Sequence, residues 1–193
     1  MGISLQKGQN VSVSREAGGN LQKVLVGLGW DPRASAGADF DLDASAFLVT
    51  KDGKVRSDSD FVFYGQLKSA DGSVQSMGDN QTGGGDGDDE QLTVDLGTVS
   101  QDVSTIVFVV TIYDYDKRKQ NFGQVSNCFI RIVNADNDKE LMRFDLGEDF
   151  SVESAVVFGE LYRHQQDWKF RAVGQGYQGG LMALCQRYGV NVG

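Results

Sequence analysis

Histidine, proline and cysteine are almost missing from this chain: its 193 residues hold one His, one Pro and two Cys. The one imidazole, His164, is expected in a hairpin loop beside Arg163, which argues against a histidine-based triad. Cys128 and Cys185 have neither CxxC spacing nor an identifiable base nearby. They read as reduced, partly buried thiols. One Pro against 25 Gly favours tight turns over stiff linkers. Basic charge is also short, with 18 Lys and Arg against 27 Asp and Glu, a net charge of -9 and a pI near 4.5. No large basic surface can form, so nucleic acid and anionic membranes are disfavoured as partners. No run approaches the ~20 apolar residues of a membrane span. The start, Met1 to Lys7, has no apolar signal core, and Lys7 does not suit a myristoylation signal. The expectation is a cytoplasmic protein that is not transmembrane.

What is present reads as strands. Hydrophobic content is ordinary at 40%, enough for a real core in one sizeable domain. Ser4-Leu5 and Val11-Ser14, Lys23–Trp30 stopped by Asp31-Pro32, the run ending at Val49, Asp60–Tyr64 and Gln91–Leu96 carry strand patterns. Thr105–Tyr113 is the most apolar run and is expected to be a central strand buried on both faces. Cys128–Val133 with Leu141–Asp145, and Ala155–Tyr162 with Trp168–Val173, read as hairpins. Leu181–Tyr188 fits a short C-terminal helix that Gly189 would stop. Close strand spacing, with no long amphipathic helix between strands, predicts an all-β sandwich of two mostly antiparallel sheets. No linker or repeat divides it, so residues 1–193 form a single expected domain.

The chemistry concentrates in acids. The stretch from Gly78 to Glu90 carries Asp79, Asp86, Asp88, Asp89 and Glu90 among glycines, with no Lys or Arg. Two carboxylates about 4 Å apart at an effective dielectric near 20 repel by roughly 4 kcal/mol. Open water, protonation or a bound cation can relieve this. Bendable backbone and hard oxygen donors without His or Cys are the ingredients of a calcium site; a solvated acidic loop is the alternative. Asp39, Asp41 and Asp43 recur every second residue, which places them about 7 Å apart on one face of an extended chain. Phe40 and Leu42 would then point into the core. The acidic loop and Asp31, at the end of the preceding strand, are the expected further donors.

Other motifs carry less. Gly84 to Asp89 fits the first six positions of the calcium-binding β-helix nonapeptide, but Gln91 breaks the match and one copy builds no β-helix. No EF-hand spacing is present. Gly174-Gln175-Gly176-Tyr177-Gln178-Gly179 spells GxGxxG, yet too little chain follows for a dinucleotide fold, and a turn capping the last strand is expected. Paired acids could cleave glycosides, but these crowd too densely to leave one neutral general acid beside one anion. Lys117-Arg118-Lys119 could take a phosphate or an acidic partner; a solvated loop, with a short helical turn, is favoured.

Gly27-Leu28-Gly29-Trp30-Asp31, Asp39 to Ser45, Leu67 to Val74, Gly78-Asp79-Asn80 with Gly85 to Glu90, and Gly159 to Arg163 resemble the TerD family of tellurium-resistance and stress proteins. The likeness runs in order over nearly the whole chain. It implies a β-sandwich with acidic calcium-binding loops, a role in bacterial tellurite resistance and stress response, and no catalytic activity. Carried over by position, the metal candidates are Asp31, Asp39, Asp41, Asp43, Asp71, Asp79, Asn80, Asp86, Asp88, Asp89 and Glu90, enough for two calcium ions. Two departures stand out. Tyr64-Gly65-Gln66 replaces a Tyr-Asn-Asn of many relatives, and Ser76-Met77 stands where those relatives have a His before Gly-Asp-Asn.

The expected function is calcium binding in stress response, with the ion ordering an acidic surface for a protein partner, the membrane being one place to meet it. The alternative is a calcium-dependent module for a carbohydrate or lipid headgroup. Tyr64 and Met77 are the nearest apolar side chains that could ring the ion. A third reading, an enzyme acting on an oxyanion through Cys128 or Cys185, requires a reactive thiol.

Overall fold

Why a sandwich forms is plain from strand periodicity. The computed structural model describes residues 2–32, 40–78, 87–147 and 150–192. In chain order its elements are β1 (Ile3–Leu5), β2 (Asn10–Ser12), α1 (Val13–Glu16), β3 (Lys23–Pro32), β4 (Leu42–Val49), β5 (Phe61–Val62), β6 (Val74–Ser76), β7 (Glu90–Asp95), β8 (Thr105–Ile112), α2 (Tyr115–Arg118), β9 (Val125–Asn134), β10 (Lys139–Asp145), β11 (Ala155–His164), β12 (Asp167–Tyr177) and α3 (Gly180–Tyr188). Two six-stranded sheets result, ordered β1-β10-β9-β3-β7-β6 and β2-β12-β11-β8-β4-β5. Pairing is antiparallel throughout except where β1 runs parallel to β10.

Each sheet turns one apolar face inward. Val24, Val26 and Leu28 of β3, Leu92 and Val94 of β7, and Ile130 and Ile132 of β9 meet Leu42, Ala44, Ala46 and Leu48 of β4 and Ile106, Phe108 and Val110 of β8 in one core. Burying each of the Val, Leu, Ile and Phe side chains contributes roughly 1.5–3 kcal/mol. β8 is buried on both faces, as its unbroken apolar run predicts. Its other face, Val107 and Val109, packs with Phe47, Val49, Leu184, Cys185 and Tyr188 beneath α3. Gly189 closes that helix at φ 81, a left-handed conformation that favours glycine.

Three local expectations are corrected. Val11 to Ser14 is not one strand: Ser12 caps the helical turn α1, its hydroxyl accepting from the Arg15 N–H, and fully buried Val13 pins that turn to the core. Asp60 to Tyr64 gives only the two-residue strand β5. Phe63 and Gln66 then exchange backbone hydrogen bonds across a Tyr64-Gly65 turn. The GxGxxG segment is mostly strand: β12 runs on through Tyr177, and Gly174, at φ 60, lies where the β11–β12 register shifts.

Candidate functional site

The end of β3 and the starts of β4 and β7 bring the acids to one end of the sandwich. Asp31 is the penultimate residue of β3, exposed, and accepts a 2.6 Å bond from the Asn127 side-chain amide. Phe40 and Leu42 are buried in the core, as the period-two reading of this segment requires. The Asp41 carbonyl accepts the Tyr113 N–H at 2.8 Å, which fastens the entry of β4 to the exit of β8. Asp43, opposite Thr111, is only 6% exposed. Glu90 is buried too; its Oε2 accepts the Ala44 N–H at 2.6 Å, so a carboxylate from one sheet satisfies an amide of the other.

Asp88 and Asp89 are consecutive yet unlike. Asp88 forms a bidentate pair with Arg131, Nε to Oδ1 at 2.7 Å and Nη2 to Oδ2 at 3.0 Å, and also accepts from the Gln91 amide. Its side chain is fully buried. The carboxylate lies where a Cβ on Gly27 would be, 2.2 Å away, so the bare glycine of β3 is what lets Asp88 reach Arg131. Among the described residues, no arginine pairs with Asp89. Its N–H donates to the Leu28 carbonyl, and its Oδ2 accepts the Trp30 N–H at 2.7 Å. Burial raises its pKa above the ordinary carboxylate value, and the charges of Asp31 and Asp88 push the same way, against the Trp30 bond.

Asp71 is not placed with these acids. It precedes β6 and lies toward the Asp95 end of β7, about 17 Å of strand from Glu90. There it accepts from the Ser69 and Ser73 hydroxyls and from the N–H groups of Ser73 and Ser100. Arg56 Nη2 stands 3.8 Å away. These bonds make Asp71 an anchor for its own loop, set apart from the acids at the other end of β7. Asp39, Asp79, Asn80 and Asp86 lie outside the described residues.

Aromatic rings border the acids. Phe47, Phe61 and Phe63 stack in succession at 4.5 Å. Tyr64 meets Phe63 edge-on at 5.1 Å, and Tyr113 stands perpendicular to Tyr64 at 6.4 Å. Exposure rises along this row from buried Phe47 to Tyr64 and Tyr113, each about half exposed at 49% and 47%. Burial, then Asp43, Tyr113 and Asp41, raise the Tyr64 pKa. The sequence pointed to Tyr64. It gave no sign of Tyr113, whose only cue was its place at the exit of an apolar run. Gly65 is explained by packing, because a Cβ there would stand 2.5 Å from the Phe63 ring. Gln66 holds the strand edge by donating to the Phe61 carbonyl. Met77 is exposed, and its N–H bonds the Gln91 carbonyl.

Whether these donors suit calcium depends on which oxygens are already engaged. All are hard oxygens, as that ion requires. Asp88 is neutralised by Arg131, and Oε2 of Glu90 is committed to Ala44. Asp31 and Asp89 each accept one donor through Oδ2, and Asp41 and Asp43 supply hard oxygens on the β4 side; burial first, then Asp31 and Asp88, raise the Asp89 pKa. Among the described residues, no three Asp, Glu, His or Cys side chains are grouped to hold one ion. Both thiols are buried and so stay protonated: Cys128 is pushed up to about 12 by burial, Asp31 and Asp89, and Cys185 to about 11 by burial and Asp58. No helix among the described residues is long and apolar enough to cross a membrane.

Known proteins match this chain over nearly its full length. The TerD domain family profile matches residues 1–188. The chain is 60% identical to Tellurium resistance protein TerD of Serratia marcescens over 191 residues, covering 99% of each chain. It is 54% identical to General stress protein 16U of Bacillus subtilis (strain 168), covering 100% of both. Among solved structures, a homologue of telluride resistance protein (TerD) from Streptomyces coelicolor A3(2) matches with TM-score 0.67 at 24% identity, covering 86% of this chain and 95% of that one. A protein of unknown function matches with TM-score 0.72 at 24% identity, covering 89% and 98%; both of these likenesses speak to the fold. With a match from end to end and such relatives, the chain belongs to the TerD family of tellurium-resistance and stress proteins.

Proposed function

We propose that this chain is a non-catalytic calcium-binding stress protein, in which the ion settles the acidic end of the sandwich into a surface for a protein partner. The supporting observation is Asp89, held half-buried beside Asp31 and Asp88 with one backbone donor and, among the described residues, no arginine partner. Asp31 and Asp89 would hold an ion on the β3–β7 side, and Asp41 and Asp43 on the β4 side. The ion would supply positive charge among these carboxylates, and ligation requires them ionised. The pairing of Asp88 with Arg131 makes Asp88 a weaker candidate than its neighbours.

Calorimetric titration of metal-stripped protein with calcium, alongside melting with calcium and with chelator, tests this reading. A ligand at 100 times its Kd stabilises by about 2.7 kcal/mol. Absence of both heat and a melting shift at millimolar calcium overturns it. One observation favours the second reading, calcium-dependent carbohydrate binding: exposed Tyr64 and Tyr113 stand at right angles next to Asp41 and Asp43. Sugar binding that needs both calcium and Tyr64 would select it.

A further inference from the structure

A cavity of about 330 Å³ opens between the exit of β8, the Tyr64 turn and the start of α3. That is the lower end of the range for small-molecule sites. Its walls are aromatic: Tyr64, Tyr113 and Tyr115 line it, and Tyr64 and Tyr113 present perpendicular rings. Asp43 lines it too, 6% exposed, and Asp114 and Asp116 stand at its rim. Tyr115 is held by packing against Gly180, where a Cβ would come within 2.7 Å of its ring. Tyrosine faces carry negative quadrupole density, and a cation within about 6 Å of a ring centroid is attracted to it. One wall already attracts such a group, since the Arg118 guanidinium lies 5.5 Å from the centroid of Tyr113.

We propose that this tyrosine-walled cavity binds a small organic ammonium ion, its methyl or methylene groups against the Tyr64 and Tyr113 rings and its charge toward Asp43 and Asp114. The competing cations among the described residues are local. Lys117, which pairs with Asp114 at 3.2 Å, is 81% exposed, and Arg118 sits on a half-exposed ring. An anion would meet Asp43, Asp114 and Asp116, offset among the described residues by Lys117 and Arg118. The proposal does not rest on calcium, although Asp43 serves both readings.

The probe is choline, titrated in excess chelator and followed by calorimetry and by amide shifts at Tyr113, Asp114 and Gly179. Its neutral isostere, 3,3-dimethylbutan-1-ol, is titrated in parallel. Choline is expected to bind saturably, about tenfold more tightly than the alcohol, as cation–π contacts with two half-exposed rings imply. Tyr113→Ala and Tyr64→Ala should each weaken choline about fivefold or more, and Tyr113→Phe should keep its affinity. Both tyrosines are about half exposed, and melting of each variant confirms that it is folded. Absence of saturable choline binding, equal affinity for the alcohol, or unchanged binding in both alanine variants overturns the site. Because chelator is present throughout, these outcomes are independent of the calcium result.

Discussion

Asp71 and Asp89 are both half-buried carboxylates on loops next to β6 and β7, and their chemistry is opposite. At Asp71, burial would raise the pKa, but donors from Ser100, Ser73 and Ser69 outweigh it and hold the group below the ordinary value. At Asp89, burial wins over the single Trp30 bond, and two neighbouring acids add to it. The end around Asp71 is complete in itself, for its buried acids have donors and an arginine. Asp60, fully buried, takes a two-pronged pair from Arg56 at 2.7 and 2.8 Å. The end around Asp89 is only partly compensated. Acid count therefore does not locate a cation site; what matters is which acids the fold has already neutralised.

The largest expected effect breaks the pairs on both sides of this comparison. Arg56→Ala leaves the Asp60 charge buried alone and should cost about 3 kcal/mol or more in urea unfolding. Arg131→Ala should cost a similar amount by exposing Asp88, whose side chain is 0% exposed, to the same fate. The two should part when calcium is added. Calcium can replace the charge lost beside Asp88, at the acidic end, and recover part of the stability, but it cannot do so beside Asp60. Equal recovery in both variants, or in neither, would remove the distinction between the two ends.

A smaller effect is expected at Asp89. In chelator, Asp89→Asn removes charge from beside Asp31 and Asp88, so the folded protein should be as stable as the parent or more so. In calcium the order should reverse, because the variant loses a donor. Thermal melting of both proteins with and without the ion reads this directly. Asp71→Asn should behave otherwise, losing stability to the same extent in either condition.

The pH dependence separates the same pair. A carboxylate whose folded pKa is depressed stabilises the fold above its unfolded pKa of about 3.9, and that contribution is lost as pH falls through the folded value. Asp71 follows this pattern, so Asp71→Asn should flatten the acid limb of a stability–pH curve. Asp89 has the reverse sign. Its raised folded pKa means that metal-free protein gains stability as pH falls from neutral toward the unfolded value. Urea midpoints across the acid range, in chelator, measure both slopes.

Which of these features a reader of the sequence could find follows from the range of the contacts. β8 was legible because an apolar run needs no partner to announce burial on two faces. Phe40 and Leu42 were legible from local alternation, and α3 from its terminal glycine. The acidic loop was legible as composition. Its division of labour was not, because the Asp88–Arg131 pair joins residues 43 apart in sequence and depends on a missing Cβ at Gly27. Asp71 looked like one more acid until strand order placed it at the far end of β7. Tyr113 became part of the acidic end only when its N–H met the Asp41 carbonyl.

The smallest expected effect concerns the thiols, and it tests whether chemistry at this end could be cysteine-based. Cys128 lies near Asp31 and Asp89, whose charges add to burial in pushing its pKa to about 12; Cys185, on the buried face of α3, is at about 11. A nucleophilic cysteine needs the thiolate, which apolar burial and nearby anions both suppress. Iodoacetamide at pH 8 should therefore leave both residues of the native protein almost unlabelled, while the urea-unfolded chain labels quickly at both. Calcium should change the Cys128 rate slightly and the Cys185 rate not at all, since only Cys128 feels the acids of the proposed ion site. Fast native labelling of Cys128 would mean that this end opens enough to expose a thiolate, and the oxyanion-handling alternative would regain its reactive group.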